Sequence, residues 1–345
     1  MTVTILQGDC RDILPTLPDA SVQMCVTSPP YWNLRDYGVD GQIGLESTVD
    51  IYVNEMVEVF REVRRVLTDD GTCWINLGDS YVSAPTGHAG SKVALQGGKL
   101  TQMANNRHPG KHCENLPAKN MVGIPWRVAL ALQADGWILR QDIIWHKPNP
   151  MPESVRDRCT KSHEYLFLLS KSPRYYFDQA AIAESSTWEL STSKRPDGWD
   201  TSTGEGAHGT IHRAGREQGV PAIYRGSRFD RGKTIEHQLG RVSHKERRET
   251  GTRNKRSVWT IATQKFADAH FATFPEKLIE PCILAGSREG DRVIDPFAGS
   301  GTTGEVAQRL NRNATLIELN PAYIPMIERR TAQQGLDMVG VSDAR

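Results

Sequence analysis

The chain has 345 residues, with Lys+Arg 42 against Asp+Glu 41, a net charge of +1 and a mean hydropathy of −0.49. That length suits one large α/β domain or a domain carrying an insertion, and no apolar run is long enough to span a bilayer. No signal peptide opens the chain and its six cysteines form no C-x-x-C pair, so we expect a reduced, cytoplasmic protein rather than a secreted or membrane-bound one.

Residues 3–6 read as a strand and Gly8-Asp9-Cys10 as a turn, with Asp9 suited to cap the turn that follows. Val22 to Val26 is an apolar run of the buried-strand type. It meets Thr27-Ser28-Pro29-Pro30-Tyr31-Trp32. Two consecutive prolines forbid helix and continued sheet pairing, and they push the residues before them to extended conformations. The carbonyls of Ser28 and Pro29 therefore point in fixed directions, beside a hydroxyl and two aromatic rings. That is a compact site for a planar, polar ligand. Residues 33–45, with Arg35 among them, read as a loop expected to act as a lid. Ser47-x-x-Asp50 has capping-box character, and apolar residues at helical spacing predict a helix over 48–67. Asp69-Asp70-Gly71 is expected to end it, with a strand over 73–77 and an exit at Gly78-Asp79. Strand, helix, strand implies a parallel, doubly wound sheet.

Residues 82–120 break this pattern, and a loop of that length inside a domain is usually functional or disordered. Within it, residues 84–120 hold five Lys/Arg against Glu114 alone. His108, His112 and Cys113 sit close together there without a closed set of ligands, so no metal is expected. Regular structure resumes with a helix over 124–134, opened by Pro125, and strands over 137–145 and 164–169. His146 and His163 read as solvated strand ends. Residues 184–257 carry no sustained apolar period; they interleave Trp188, Trp199, Tyr224 and Phe229 with Arg195, Arg213, Arg225, Arg228 and Arg231. Residues 186–257 hold 15 Lys/Arg against 9 Asp/Glu, so with the first insertion they leave a balance of about −9 on the remainder. Two basic insertions on an acidic body point to a polyanionic partner, with Lys and Arg attracting phosphate and Arg forks able to read guanine edges.

The last stretch reads as a helix from Phe274 to about Leu284, a strand over 292–295, a turn over 299–304, a helix over 303–310, a strand over 315–318 and a helix over 323–333. Gly299-Ser300-Gly301-Thr302-Thr303-Gly304 fits the dinucleotide pattern G-x-G-x-x-G, with Glu318 about 20 residues beyond the first glycine. Asp295 discriminates among cofactors: its charge repels a pyrophosphate but attracts an ammonium or a sulfonium. Glu318, ending the next strand, is placed to accept both hydroxyls of a ribose.

Ser28-Pro29-Pro30-Tyr31 resembles the catalytic motif (Ser/Asn/Asp)-Pro-Pro-(Tyr/Phe/Trp) of the amino-group DNA methyltransferases. Asp295-Pro296-Phe297-Ala298-Gly299-Ser300-Gly301-Thr302-Thr303 looks like their S-adenosylmethionine loop. The order, catalytic motif first, is that of the β group, and the similarity covers roughly residues 3–83, 121–180 and 258–335. The resemblance implies an α/β, doubly wound, mostly parallel sheet (the Rossmann-like methyltransferase fold) with an inserted target-recognition region. Its parts would be a catalytic half at 1–83, a basic loop insertion at 84–120, the rest of the catalytic half at 121–183, the target-recognition region at 184–257 and the cofactor-binding half at 258–345. It implies a hairpin partner at Tyr175–Phe177. It also implies cofactor contacts at Asp9, Cys10, Asp295, Phe297, Ala298, Gly299, Ser300, Gly301, Thr302, Thr303 and Glu318. DNA contacts would come from Trp32, Arg35 and the insertion's arginines.

The expected chemistry takes a base flipped out of double-stranded DNA. Tyr31 stacks on it, while Ser28 and the Pro29 carbonyl accept hydrogen bonds from its exocyclic amine, which attacks the methyl in line with sulfur. Serine in the first motif position is the form commonest in cytosine-N4 enzymes, so cytosine N4 is favoured and adenine N6 stays open. Expected partners are duplex DNA and a cognate restriction endonuclease of a restriction–modification system, with the chain a monomer or homodimer. Three rivals remain: a cytosine-C5 methyltransferase using Cys282, a nicotinamide oxidoreductase, and a non-catalytic DNA-binding protein.

Overall fold

The computed structural model describes residues 1–82, 116–185, 251–263 and 274–332. The chain divides into two compact units, Met1–Ile182 with Arg256–Arg345, and Ala183–Lys255.

The larger unit is built around a strand buried on both faces. In β2 (Val22–Thr27) every residue is buried, with Val22 and Cys25 in one core and Met24 and Val26 in the other. A continuous apolar run is what a strand covered on both sides requires. The other strands of its sheet are β1 (Val3–Gln7), β3 (Leu67–Leu77), β4 (Ile138–His146), β5 (His163–Ser170), β8 (Val258–Thr260), β9 (Arg292–Asp295) and β10 (Asn313–Glu318). The order is β1-β10-β9-β2-β3-β5-β4-β8, and every pairing is parallel except those of β5, which runs against both neighbours. This is the mostly parallel, doubly wound α/β sheet.

Helices cover both faces. On one side lie α1 (Cys10–Ile13), α2 (Val49–Val66) and α3 (Ile124–Ala134); on the other, α4 (Glu276–Gly286), α5 (Thr302–Arg309) and α6 (Ile324–Ala332). Tyr52, Met56, Phe60 and Val63 of α2 are wholly buried, at helical spacing. Each such side chain contributes about 1.5–3 kcal/mol by leaving water. Asp79, at the exit of β3, accepts from the backbone N–H groups of Gly123 and Ile124 at 2.9 and 3.0 Å, so its charge sits on the N-terminus of α3.

Several expectations need correcting. The cap of α2 is Thr48, one residue beyond the expected Ser47, accepting from Ile51 N at 3.2 Å. Asp69-Asp70-Gly71 is no break between helix and strand. It bulges within β3, whose pairing with β2 jumps from Val22↔Leu67 to Met24↔Thr72. A Cβ on Gly71 would stand 2.9 Å from Thr68 O and 3.0 Å from Gln23 O, so only glycine fits the fold-back. Tyr175–Phe177 forms no strand. The Tyr176 N–H is used by Asp70 O of the bulge at 2.8 Å, and Phe177 stacks on Trp74 at 6.3 Å. The short strand β8 has no counterpart among the expected elements, because three residues carry no period.

Of the smaller unit, the described residues form one antiparallel pair, β6 (Glu184–Ser185) with β7 (Thr252–Arg253), and a Glu184–Arg253 ion pair at 3.4 Å. Arg195, Arg213, Arg225, Arg228 and Arg231 lie outside the described residues, as do His108, His112 and Cys113. No helix among the described residues is long and apolar enough to cross a membrane.

Candidate active site

The two motifs that stand 267 positions apart at Ser28 and Asp295 leave adjacent strands. Met24 faces Val293 and Cys25 faces Ile294 in parallel register. From β9 the chain moves to β10 on one side; from β2 it moves to β3 on the other. The strand order therefore reverses between β9 and β2, where an open α/β sheet leaves a crevice beyond its carboxyl ends. Thr27 Oγ1 donates to Asp295 Oδ1 at 2.5 Å across this seam.

A cavity of about 240 Å³ opens there. Ser28, Pro29, Pro30 and Tyr31 form one wall, and Phe297, Ala298, Gly299, Ser300, Thr302 and Glu318 another; Asp9, Cys10 and Arg35 close it. The loop at 33–45 folds onto itself at the rim. Asn33 N donates to Gly44 O at 2.7 Å and Tyr37 N to Gln42 Oε1 at 2.6 Å.

Residues 22–329 match the N6/N4 type of DNA methylase. The chain belongs to that family. Over 341 residues the methylase is 41% identical to the Type II methyltransferase M.Cfr9I of Citrobacter freundii, spanning 99% of this chain and 91% of that protein. It is 38% identical over 333 residues to M.SmaI of Serratia marcescens, spanning 94% and 89%. Among solved structures, it resembles a putative DNA modification methylase from Thermus thermophilus complexed with S-adenosyl-L-methionine, with a TM-score of 0.54, 22% identity and coverage of 99% and 96%. The cytosine-N4-specific PvuII DNA methyltransferase gives a TM-score of 0.57 at 18% identity, covering 96% of this chain and 86% of its own. At such identities these two likenesses show the shared fold.

Three expected cofactor contacts of the methylase are not in the cavity wall. Asp295 is fully buried. Its carboxylate accepts from Thr27, from Thr303 Oγ1 at 2.6 Å and from Phe297 N at 3.0 Å. It knots the two turns together. Burial lifts its pKa to about 6 against the pull of those donors. Thr303 spends its hydroxyl on the same knot. Gly301 serves packing: its φ is +79°, and a Cβ there would meet Ile327 Cγ2 at 2.9 Å.

Trp32 also departs from expectation. It is 1% exposed and donates its indole N–H to Glu46 O at 2.9 Å, so it anchors the loop from inside the core and presents no surface to DNA. Asp9 caps α1 through Arg11 N at 2.8 Å and pairs with the Arg11 guanidinium at 2.6 Å, while still lining the cavity. Glu318 Oε2 accepts from Gly299 N at 2.7 Å and Oε1 from Asn320 N at 2.8 Å. Burial raises its pKa to about 7.

Tyr31 is held from three sides. Its hydroxyl donates to Glu164 Oε2 at 2.9 Å and lies 3.1 Å from Asn76 Oδ1. Gly78 lets the ring lie flat, since a Cβ there would stand 2.5 Å from it. Glu164 pairs with Lys147, whose Nζ lies 4.2 Å from the centre of the Trp145 ring. Asn76, Lys147, Glu164 and Trp145 all line the cavity and were missed from sequence. A signal existed: Asn76 and Lys147 stand at carboxyl ends of parallel strands, where such a sheet places its ligands.

Neither Cys282 nor Cys10 suits a thiolate nucleophile. Cys282 is buried in α4, outside the cavity wall, with its thiol on Leu278 O at 3.3 Å. Cys10 does line the cavity, but burial pushes its thiol up to about 12. Among the described residues no group of three or more His, Cys, Asp or Glu could hold a metal ion.

Proposed function

We propose that this methylase transfers a methyl group from S-adenosylmethionine to the N4 amine of a cytosine flipped out of double-stranded DNA. The observation that carries the reading is the seam itself: a serine-proline turn and a glycine loop, tied by the Thr27–Asp295 bond, walling one cavity.

The residues fit the cofactor. Glu318 keeps unused lone pairs on both oxygens, each of which already holds one backbone N–H, and these suit vicinal ribose hydroxyls. Phe297 offers an apolar face, and the backbone of residues 297–300 borders the cavity. When bound, S-adenosylmethionine supplies an electrophilic methyl on a positively charged sulfur.

The chain's own groups do the rest. Ser28 Oγ and the Pro29 carbonyl accept from the two N–H bonds of the amine and aim its lone pair. Tyr31, fixed by Glu164, Asn76 and Gly78, gives the base a face to stack on. The new C–N bond forms as the C–S bond breaks, and the amine's surplus proton leaves to water. Catalysis is then positioning and preorganised dipoles. Serine, a neutral acceptor, in the first motif position supports cytosine over adenine. The Type II names of the relatives support a role beside an endonuclease cutting the same sequence.

Plasmid DNA methylated by the protein, digested to nucleosides and weighed, should yield N4-methylcytosine. N6-methyladenine would move the target to adenine; 5-methylcytosine or no product would sink the reading.

A further inference from the structure

The segment 147–162 joins β4 to β5, and both its ends enter the active-site wall, at Lys147 and next to Glu164. At its crest Met151 is 86% exposed, the highest value among the exposed large hydrophobic side chains of the described residues. An unbranched apolar side chain held out in water is costly to leave there and suits irregular gaps. It is also held stiffly. Met151 sits between Pro150 and Pro152, with Pro148 two residues before Pro150. The segment is pinned at Asn149, whose Oδ1 accepts from Thr263 N at 3.0 Å. Glu153 accepts from Arg158 at 2.5 Å, and the Arg158 guanidinium lies 4.0 Å from the centre of the Tyr81 ring. The segment carries Lys147, Arg156, Arg158 and Lys161 against Glu153 and Asp157; Lys147 is paired with Glu164, Arg158 with Glu153 and Asp157 with Lys119, and Arg156 is exposed.

Resting on the base-flipping reading above, we propose that Met151 is the wedge that enters the duplex where the flipped base leaves. Extruding a base opens a gap about one stacking step deep, about 3.4 Å, and an apolar side chain that fills it keeps the base from returning. The geometry suits this. Met151 is four positions from Lys147, so its Cα lies at most about 14 Å from that of this cavity-wall residue. Exposed Arg156, on the same segment, attracts the phosphates that flank the gap. Among the described residues, other exposed apolar side chains do not combine these features; Leu34, 45% exposed, lines the cavity itself.

The test uses the full chain and a duplex carrying its mapped methylation sequence, with 2-aminopurine beside the target base and S-adenosylhomocysteine present. Wild-type protein should raise the fluorescence, and Met151→Ala should raise it far less. Turnover of Met151→Ala should fall about tenfold on the paired duplex, the effect of losing one buried side chain. It should recover to the wild-type rate when the target faces an abasic site. Met151→Leu should retain activity, and Val155→Ser, exposed on the same segment, should change nothing. An unchanged Met151→Ala on paired DNA, or an equal loss on both duplexes, overturns the wedge alone. Wild-type protein that methylates no exocyclic amine overturns the function reading and the wedge with it.

Discussion

The turn after β2 and the turn after β9 lie side by side yet are stiffened by opposite means. The first uses residues that restrict the chain: two prolines, and an aromatic ring held by Glu164 and Asn76. The second uses residues that free it: Gly301 in a left-handed conformation against Ile327, and Gly304 against Leu316. Asp295 joins them through Thr27 and Thr303. A rigid grip is needed where an amine must be aimed; close backbone approach is needed where a large cofactor must be enclosed.

Substitutions can separate the two. The largest effect is expected at the first turn. Ser28→Ala should cut kcat by about 10²–10³, as loss of one preorganised hydrogen-bonding group does, while S-adenosylmethionine affinity by calorimetry stays unchanged. Gly78→Ala drives a Cβ into the Tyr31 ring and should cost kcat about 10²-fold through misplacement. Equal losses in cofactor binding would show that the turns do not work separately. Gly301→Ala should act on the other side: the left-handed backbone costs about 1–2 kcal/mol and the clash with Ile327 adds to it, so cofactor affinity and melting temperature should both fall.

The shared knot gives a smaller, pH-dependent effect. In the folded chain Asp295 and Glu318 titrate at about 6 and about 7, above their ordinary 3.8 and 4.5. Raised carboxyl values mean that the stability they contribute is complete below the unfolded values and is lost as pH rises through the folded ones. Asp295→Asn removes one titration. Its stability relative to wild type should therefore improve between about pH 4 and pH 6, by at most about 3 kcal/mol, and stay level above that. A gap that does not move with pH would contradict the burial argument. The mildest change is Trp32→Phe, which loses the bond to Glu46 O and should cost about 1 kcal/mol in denaturant melts.

The strands and helices were legible because each long element carries its own period: the all-buried run at Val22–Thr27, the spaced apolar face of α2. The two site motifs were legible as uninterrupted strings. What sequence could not show is what the fold alone brings together. Trp32 adjoins the motif in sequence, yet its neighbours turn it inward. Asp295 carries the right charge for a cation but is enclosed by two threonines, one of them 268 positions away. Glu164 meets Tyr31, and Lys147 meets Glu164, only because β5 runs backward beside β3.

That reversal has a consequence for how such proteins diversify. A strand running against its neighbours starts at the edge where they finish, so β4 and β5 deliver both ends of their connecting segment to the reaction crevice. The segment between can lengthen, shorten or change its crest while its two anchors stay paired in register. Natural selection thus has a handle on what the enzyme meets outside, detached from the atoms that carry out the transfer.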